Sequence, residues 1–575
     1  MFFRPFPSPF RAALFALGLL AAAPAAGATA DAPKPGVSSF GNYLAGRHAQ
    51  AVREMGAAAA FYSAVLAREP NNPDILRRAF ILHLGEGRIA DALVLAGRMD
   101  AHDAARLGFP EYLRAADDIK NGRHAAAIKR LDALENDGLA ALVAPMLRGW
   151  AEMGRGNRAA AAKALNALAG KDGMQSFLDL HGAILADLAG DWAAAETNYR
   201  KVSGDDGDAS LRLTILLGNL YERMGQPDKA KALYEALVAR NPDSRLLDPA
   251  LRRIAEKGKP PKAEIAGPVQ GAAEALFGIA GSLRQQNARE TALLFARLTL
   301  YLRPDFPPAQ VLVADILEND RRFADANAVY DGIAKDSSFY RATRARVAAN
   351  LDHMDRTDEA IQRLNALAAA EAKDKGIEPL VQLGDILRGR KRFKEAAVAY
   401  DRALERIPTL DRRHWVLLYS RGIALERSAQ WPRAEADFLK ALEFEPEQPY
   451  VLNYLGYSWI EKRLHLERAT NMIRRAVALR PNDGYIVDSL GWVHYQLGDY
   501  ADAVKELERA VELRPEDPVI NDHLGDALWR VGRRIEARFQ WERALSLKPE
   551  ADQIEPIKKK LQEGLPDDAP AGRKS

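Results

Sequence analysis

Apolar residues along this chain recur in steps of three and four, broken at regular intervals by short polar or glycine-containing stretches. From position 484, Val487, Leu490, Gly491 and His494 fall at i, i+3, i+4 and i+7, which puts them on one face of a helix. A second amphipathic stretch carrying Ala503 and Ala510 follows, and Pro515 ends it because proline cannot continue a helix. The pattern then returns. Ala503, Ala510 and Pro515 reappear as Ala537, Ala544 and Pro549, and Leu490-Gly491 as Leu524-Gly525, each displaced by 34 residues. The spacing predicts a helix-turn-helix unit in which Gly491, lacking a side chain, lets the second helix approach closely while Ala503 and Ala510 offer small surfaces. Leucine in place of such a glycine would overpack the pair by roughly 1–3 kcal/mol. Eight units carry the terminating proline: Pro70, Pro242, Pro304, Pro408, Pro446, Pro481, Pro515 and Pro549.

A 34-residue unit with Leu-Gly at its seventh and eighth positions, Ala at the twentieth and twenty-seventh and Pro at the thirty-second is the tetratricopeptide (TPR) pattern. Clear units start at 518, 484, 449, 415, 377, 341, 307 and 273, and thinner ones at 211, 176, 142, 108, 73 and 39. The expected fold is an all-α TPR helical-repeat solenoid of about fourteen repeats in two superhelical segments. The expected organisation is a signal peptide over 1–30, an N-terminal array over 31–244 and a C-terminal array over 273–551. Between the arrays lies a linker over 245–272, with a half-repeat helix stopped by Pro260-Pro261; a capping helix over 552–563 and a disordered tail over 564–575 come after the second array. In the capping helix Ile554, Ile557 and Leu561 cover an exposed apolar face, Lys558 to Lys560 turn largely to water, and Pro556 falls in the first turn.

Composition agrees with a helical chain: 48% of its 575 residues are hydrophobic and 28% charged. Stacked repeats explain how a chain this long avoids needing one compact core. The net charge of +3 falls to +1 without the first 30 residues, so charge balance indicates neither nucleic acid nor an acidic membrane as partner. Two arginines in 1–11, an apolar run over 12–23 and the small residues Ala28-Thr29-Ala30 form a secretory signal peptide. Twelve apolar residues before Pro24 are short for a bilayer span, and no later stretch is apolar enough to make one. The mature chain is therefore expected in the periplasm with no transmembrane helix. There is no cysteine, which excludes disulfides, thiol nucleophiles and lipid attachment to a cysteine.

The packing positions leave a separate stripe at the second, fifth, ninth and twelfth positions of each first helix, the stripe that lines the concave groove in TPR arrays. In the last three repeats it holds Tyr450, Asn453 and Tyr457, then Tyr485, Asp488, Trp492 and Tyr495, then Asp522, Asp526 and Trp529. Aromatic faces interleaved with amide and carboxylate groups suit a peptide, whose side chains the rings bury while the polar groups pair its backbone. These ten residues are the candidate partner-binding site, although helical aromatics also serve to pack one repeat on the next. Asp488 and Asp522 stand where a TPR clamp for a C-terminal carboxylate would need a cation or Asn, which argues against that mode.

Nothing in the sequence forms a reaction centre. There is no HExxH, no GxSxG, no Walker A and no GxGxxG, and the ten histidines include no pair at metal-binding helical spacing. Asp205, Asp206, Gly207 and Asp208 lack the twelve-residue loop and closing Glu of a calcium site. The basic run at 388–392 falls at a turn inside its repeat. No enzyme activity, cofactor or metal is expected.

Three stretches are more specific than the general pattern: Asn453-Tyr454-Leu455-Gly456-Tyr457, Asp488-Ser489-Leu490-Gly491-Trp492, and His523-Leu524-Gly525-Asp526 with Trp541. With Tyr43-Leu44-Ala45-Gly46-Arg47 and the residues at 271–276, they resemble exported proteobacterial TPR proteins that include the outer-membrane lipoprotein adaptor of a carboxyl-terminal processing protease. The resemblance implies a non-enzymatic periplasmic scaffold that holds such a protease and presents cell-wall hydrolase substrates to it. The missing lipid-bearing cysteine departs from that family and points to a form without a lipid anchor. An alternative reading is an assembly factor for an envelope machine such as a pilus or polysaccharide exporter.

Overall fold

The computed structural model describes residues 34–134, 137–171, 173–203, 209–241, 244–370 and 376–566. The segment expected as a signal peptide, Pro242, the acidic residues at 205–208 and residues 567–575 of the expected tail lie outside the described residues. Among the described residues there are 31 α-helices and no strand. None of these helices is long and apolar enough to cross a membrane.

Twenty-eight of the helices pair into fourteen repeats, each with a first helix (A) and a second (B). The A helices begin within two residues of the expected starts, except in repeat 7, where Pro268–Gln285 begins five residues early. Local chemistry sets these boundaries. In repeat 14, the Asp517 carboxylate accepts hydrogen bonds from the amides of Val519 (2.9 Å) and Ile520 (3.0 Å), and Pro518 supplies a first residue that needs no amide partner. The turn between the helices passes through left-handed backbone, at Gly498 (φ 85°) in repeat 13 and at Lys391 (φ 60°) in repeat 10. Residues 390–392 of the basic run form this turn, while Arg388 and Gly389 end the first helix.

The close approach of the two helices is specified by a pair, not by the glycine alone. A Cβ on Gly491 would stand 2.5 Å from Leu507 Cγ, and one on Gly525 2.5 Å from Trp541 Cδ1. Gly218 with Tyr234, Gly384 with Tyr400 and Gly422 with Phe438 are related in the same way, always sixteen residues apart. The two alanines are fully buried as expected, but the surface facing the glycine is this large side chain together with B-helix backbone, such as the Ala537 carbonyl at 3.1 Å from the Gly525 position.

The described residues form two compact units, one ending at Ala360 and the other beginning at Ile361. The segment 245–272, expected as the boundary between arrays, lies inside the first unit. Its helix, Asp248–Ala255, is held by Arg253, which donates to the Glu222 carboxylate at 2.7 and 2.8 Å. Beyond Pro260-Pro261, Asn219 Nδ2 donates to the Lys262 carbonyl (2.8 Å), Arg212 pairs with Glu264 (3.0 Å), and Ile265 is buried. The segment is therefore tied down on both sides of the prolines.

The reason the first unit continues past the linker is that repeat 7 packs onto the A helices of repeats 2 to 5. It covers their groove stripe. Phe295 of its B helix, Arg289–Leu302, lies 4.9 Å from the Phe109 ring and 6.0 Å from Tyr112, the second and fifth positions of repeat 3. On its A helix, Gly271 faces Trp150, where a Cβ would be 2.2 Å from Cε3, and Gly278 faces Phe177, where a Cβ would be 2.8 Å from Cε1. Polar bonds surround the contact: Arg322 forms a bidentate pair with Glu86 (2.7 and 2.9 Å), Tyr301 Oη donates to Asp117 (2.6 Å), and buried Arg212 clasps buried Glu274 at 2.6 and 2.9 Å.

The second unit holds repeats 10 to 14 and the terminal helix Ala551–Glu563. Ile557 inserts into the core of the last repeat beside Leu528, Trp541 and Ala544, with Leu561 packed alongside, as the apolar spacing predicts. Three details differ from expectation. Lys558 and Lys559 face water, but Lys560 turns inward. The helix starts earlier than the pattern suggested, so Pro556 sits beyond the first turn. Residues 564–566, expected to belong to a disordered tail, are bonded to repeat 14.

Candidate protein-binding surface

In the second unit the stripe is built from side chains that helical spacing aligns along successive A helices: Pro449–Glu461, Gly484–Leu497 and Pro518–Arg530. Trp492 is its centre. Its ring lies parallel to Tyr495 on one side (centroids 4.7 Å apart, 8° between planes) and stacks on His523 on the other (4.0 Å, 17°). Its indole Nε1–H donates to Glu461 at 2.7 Å. Behind the stack Asp488 is buried and lies 3.0 and 3.2 Å from His523 Nδ1. Burial pulls the His523 pKa down, but the Asp488 carboxylate, with Asp522 and Asp526 further off, outweighs it and holds the imidazole above its ordinary value. Protonated His523 would thus sit between an aromatic face and a carboxylate.

Around this cluster the other candidates take different roles. Tyr457 is half-buried next to Asp488 and Glu461, and burial, supported by those carboxylates, pushes its phenol well up. Asn453 is also half-buried, and its Oδ1 has no hydrogen-bond partner. Tyr450 and Tyr485 stand at the rim, under the guanidinium groups of Arg480 (5.7 Å) and Arg514 (5.2 Å) respectively. Tyr485 is the most open of the ten, 38% exposed.

Asp522, Asp526 and Trp529 form a second cluster that the chain itself covers. Lys560 Nζ donates to both oxygens of Asp522 (2.9 and 2.8 Å) and to Asp526 (2.8 Å), while Trp541 Nε1 donates to the other Asp526 oxygen at 2.9 Å. Burial alone would lower the Lys560 pKa; the two carboxylates reverse that and keep it charged. Trp529 Nε1 donates to the Leu565 carbonyl at 3.3 Å, and Arg530 Nη1 to the Pro566 carbonyl at 2.7 Å.

The structure therefore brings Asp488, Trp492 and Tyr495 together, and separately Asp522, Asp526 and Trp529. It assigns the carboxylates to partners within the chain, so they are not left to pair a peptide backbone. His523, Glu461, Arg530 and Lys560 are members that the stripe positions alone do not include. Lys560 was readable: it follows Asp526 by 34 residues and so occupies the ninth position of a fifteenth, half-formed repeat. His523 and Glu461 lie one residue outside the stripe, and only the stacking of neighbouring A helices brings them in.

The fold is a TPR solenoid, and its matches are to repeats of that class. A TPR repeat model matches residues 491–532 and a tetratricopeptide repeat model matches 188–254. The TPR repeat-containing protein PA4667 of Pseudomonas aeruginosa is 31% identical over 152 residues, 26% of this chain and 25% of that protein. The chain thus matches about a quarter of the length of that relative. Among solved structures, the APC/C hetero-tetramer Cut9-Hcn1 aligns over 91% of this chain and 96% of its own at 16% identity and a TM-score of 0.37. YrrB, described as a TPR protein with an unusual peptide-binding site, aligns over 33% of this chain and 96% of its own at 21% identity and a TM-score of 0.26. Repeats of this kind are non-catalytic scaffolds that bind protein partners.

Proposed function

We propose that this protein is a non-enzymatic periplasmic adaptor that binds a polypeptide partner through the inner face of its second unit. The observation that carries the reading is a contrast between the two stripes. In the first unit the aromatic stripe Phe109, Tyr112, Trp150 and Phe177 is filled by the chain's own repeat 7. In the second unit Tyr485, Trp492 and Tyr495 present a comparable stripe that remains partly open. Aromatic rings in such a groove bury a partner's apolar side chains, and Trp and Tyr commonly dominate binding energy at interfaces. The finer reading, supported by the resemblance of 453–457, 488–492 and 523–526 to exported TPR adaptors, is that the partner is a carboxyl-terminal processing protease and that cell-wall hydrolases are presented to it.

Crosslinking in intact cells, followed by recovery of the protein with and without Trp492→Ala, tests this. The substitution is expected to remove most of the partner while leaving helicity unchanged. Unchanged recovery would exclude the groove, and recovery confined to cytoplasmic proteins would exclude the periplasmic assignment.

A further inference from the structure

The terminal helix Ala551–Glu563 closes the core of repeat 14 through Ile557, with Leu561 and, beyond the helix, Leu565 packed against the same core. Residues 564–566 add contacts that a cap does not need. At Gly564 the backbone turns through φ 76°, and the bare Cα lies against Trp529 so closely that a Cβ would stand 2.1 Å from Cζ2. The next two residues are non-helical and lie along the twelfth and thirteenth positions of the repeat 14 A helix: the Leu565 carbonyl accepts from Trp529 Nε1, the Pro566 carbonyl accepts from Arg530 Nη1, and the half-buried Leu565 side chain packs against the repeat 14 core, as Tyr495 and Trp529 also do. Arg530 also donates from Nε to Tyr495 Oη at 3.3 Å, joining this contact to the Trp492 stack. Two successive main-chain carbonyls are thus read by groove side chains, with one leucine packed against the core of the repeat. That is how a groove holds a bound polypeptide.

We infer that the 564–566 segment is a built-in ligand of the second unit, occupying the place that a non-helical, leucine-bearing segment of the partner takes when it binds. The inference rests on the adaptor reading above and adds the chemistry of what is bound. The partner supplies an apolar side chain of leucine size and two adjacent carbonyls, and it competes with the chain's own terminus. An intramolecular occupant at high effective concentration masks the site until a stronger ligand arrives.

Two full-length variants open the site without touching Ile557. Gly564→Val places a Cβ where Trp529 stands and forces a side chain into left-handed backbone; Leu565→Asp removes the apolar anchor. The probe is a fluorescein-labelled peptide copying residues 561–570, followed by anisotropy, with circular dichroism on every variant. At least tenfold tighter binding of the peptide by either helical variant than by the unaltered chain is expected, and Trp529→Ala added to that variant should abolish the gain. No gain in a variant of unchanged helicity, or a gain that survives Trp529→Ala, would overturn the inference and leave 564–566 as part of the cap. Because this assay reads only the Trp529 end, it can fail while Trp492→Ala still removes the partner, and the converse also holds.

Discussion

A glycine at the eighth repeat position is defined by the side chain sixteen residues later, or seventeen in repeat 12, where Gly456 faces Ile473. Gly525 is the sharpest case, since Trp541 is fully buried and its Nε1 holds Asp526, leaving the ring no freedom to move aside. Gly525→Ala should therefore lower stability by about 1–3 kcal/mol, read from the urea midpoint. Gly389→Ala, whose added Cβ meets nothing within 4 Å, should shift the midpoint little. An unchanged or raised midpoint in Gly525→Ala would show that the better helix propensity of alanine outweighs crowding against Trp541. The glycines were legible in the sequence because they recur at one repeat position, 34 residues apart between Gly422 and Gly456 and between Gly491 and Gly525. Their partners were not, because Tyr234, Tyr400, Phe438, Leu507 and Trp541 share only bulk and no common identity.

Between elements, repeat 7 is also tied to the first helix of repeat 6 by a buried ion pair. Arg212 and Glu274 are both nearly inaccessible, and the carboxylates of Glu274 and Glu264 overcome the burial that would otherwise lower the arginine pKa. Removing one member leaves an uncompensated buried charge, so Arg212→Ala should destabilise the first unit by about 3–5 kcal/mol. Replacing both with apolar residues, as in Arg212→Met with Glu274→Leu, should restore most of that loss in thermal unfolding; failure to recover would mean the pair does more than balance its own desolvation. Local periodicity could not have revealed this docking. Fourteen helix pairs come from that periodicity, and Phe109, Tyr112, Trp150 and Phe177 are readable as a stripe. Their cover is not, because Phe295 comes from 186 residues beyond Phe109 and no repeat rule links them. Pro260-Pro261 suggested a break, and the chain does leave helix there; bonds from Asn219, Arg212 and Arg253 to the flanking residues, all made across sequence gaps of thirty or more, decide that it is not a boundary.

Over the whole molecule the two units carry histidines that respond to pH in opposite directions. His181 in the first unit is fully buried at the edge of Trp150, neither ring nitrogen is hydrogen bonded to protein, and burial pulls its pKa down to about 4, with Glu274 opposing only in part. A histidine depressed in the folded state binds its proton more readily when unfolded, so its contribution is intact above the unfolded value of about 6.5 and falls by roughly 3 kcal/mol as pH drops from there through 4. His523 in the second unit is raised by Asp488, so its contribution is complete below about 6.5 and disappears as pH climbs through the raised folded value. Hydrogen exchange resolved by segment and corrected for intrinsic rates can follow both at once. Protection of Gln175–Leu188 should decrease from pH 6.5 to 5, and that of Pro518–Arg530 from pH 6.5 to 8. His181→Leu should flatten the first response alone, and Asp488→Asn the second alone. If each variant altered both responses, the histidines would not be the local source. A loss confined to the second unit above neutral pH would mean that the Trp492 stack, and with it the proposed partner surface, is best formed when His523 carries its proton.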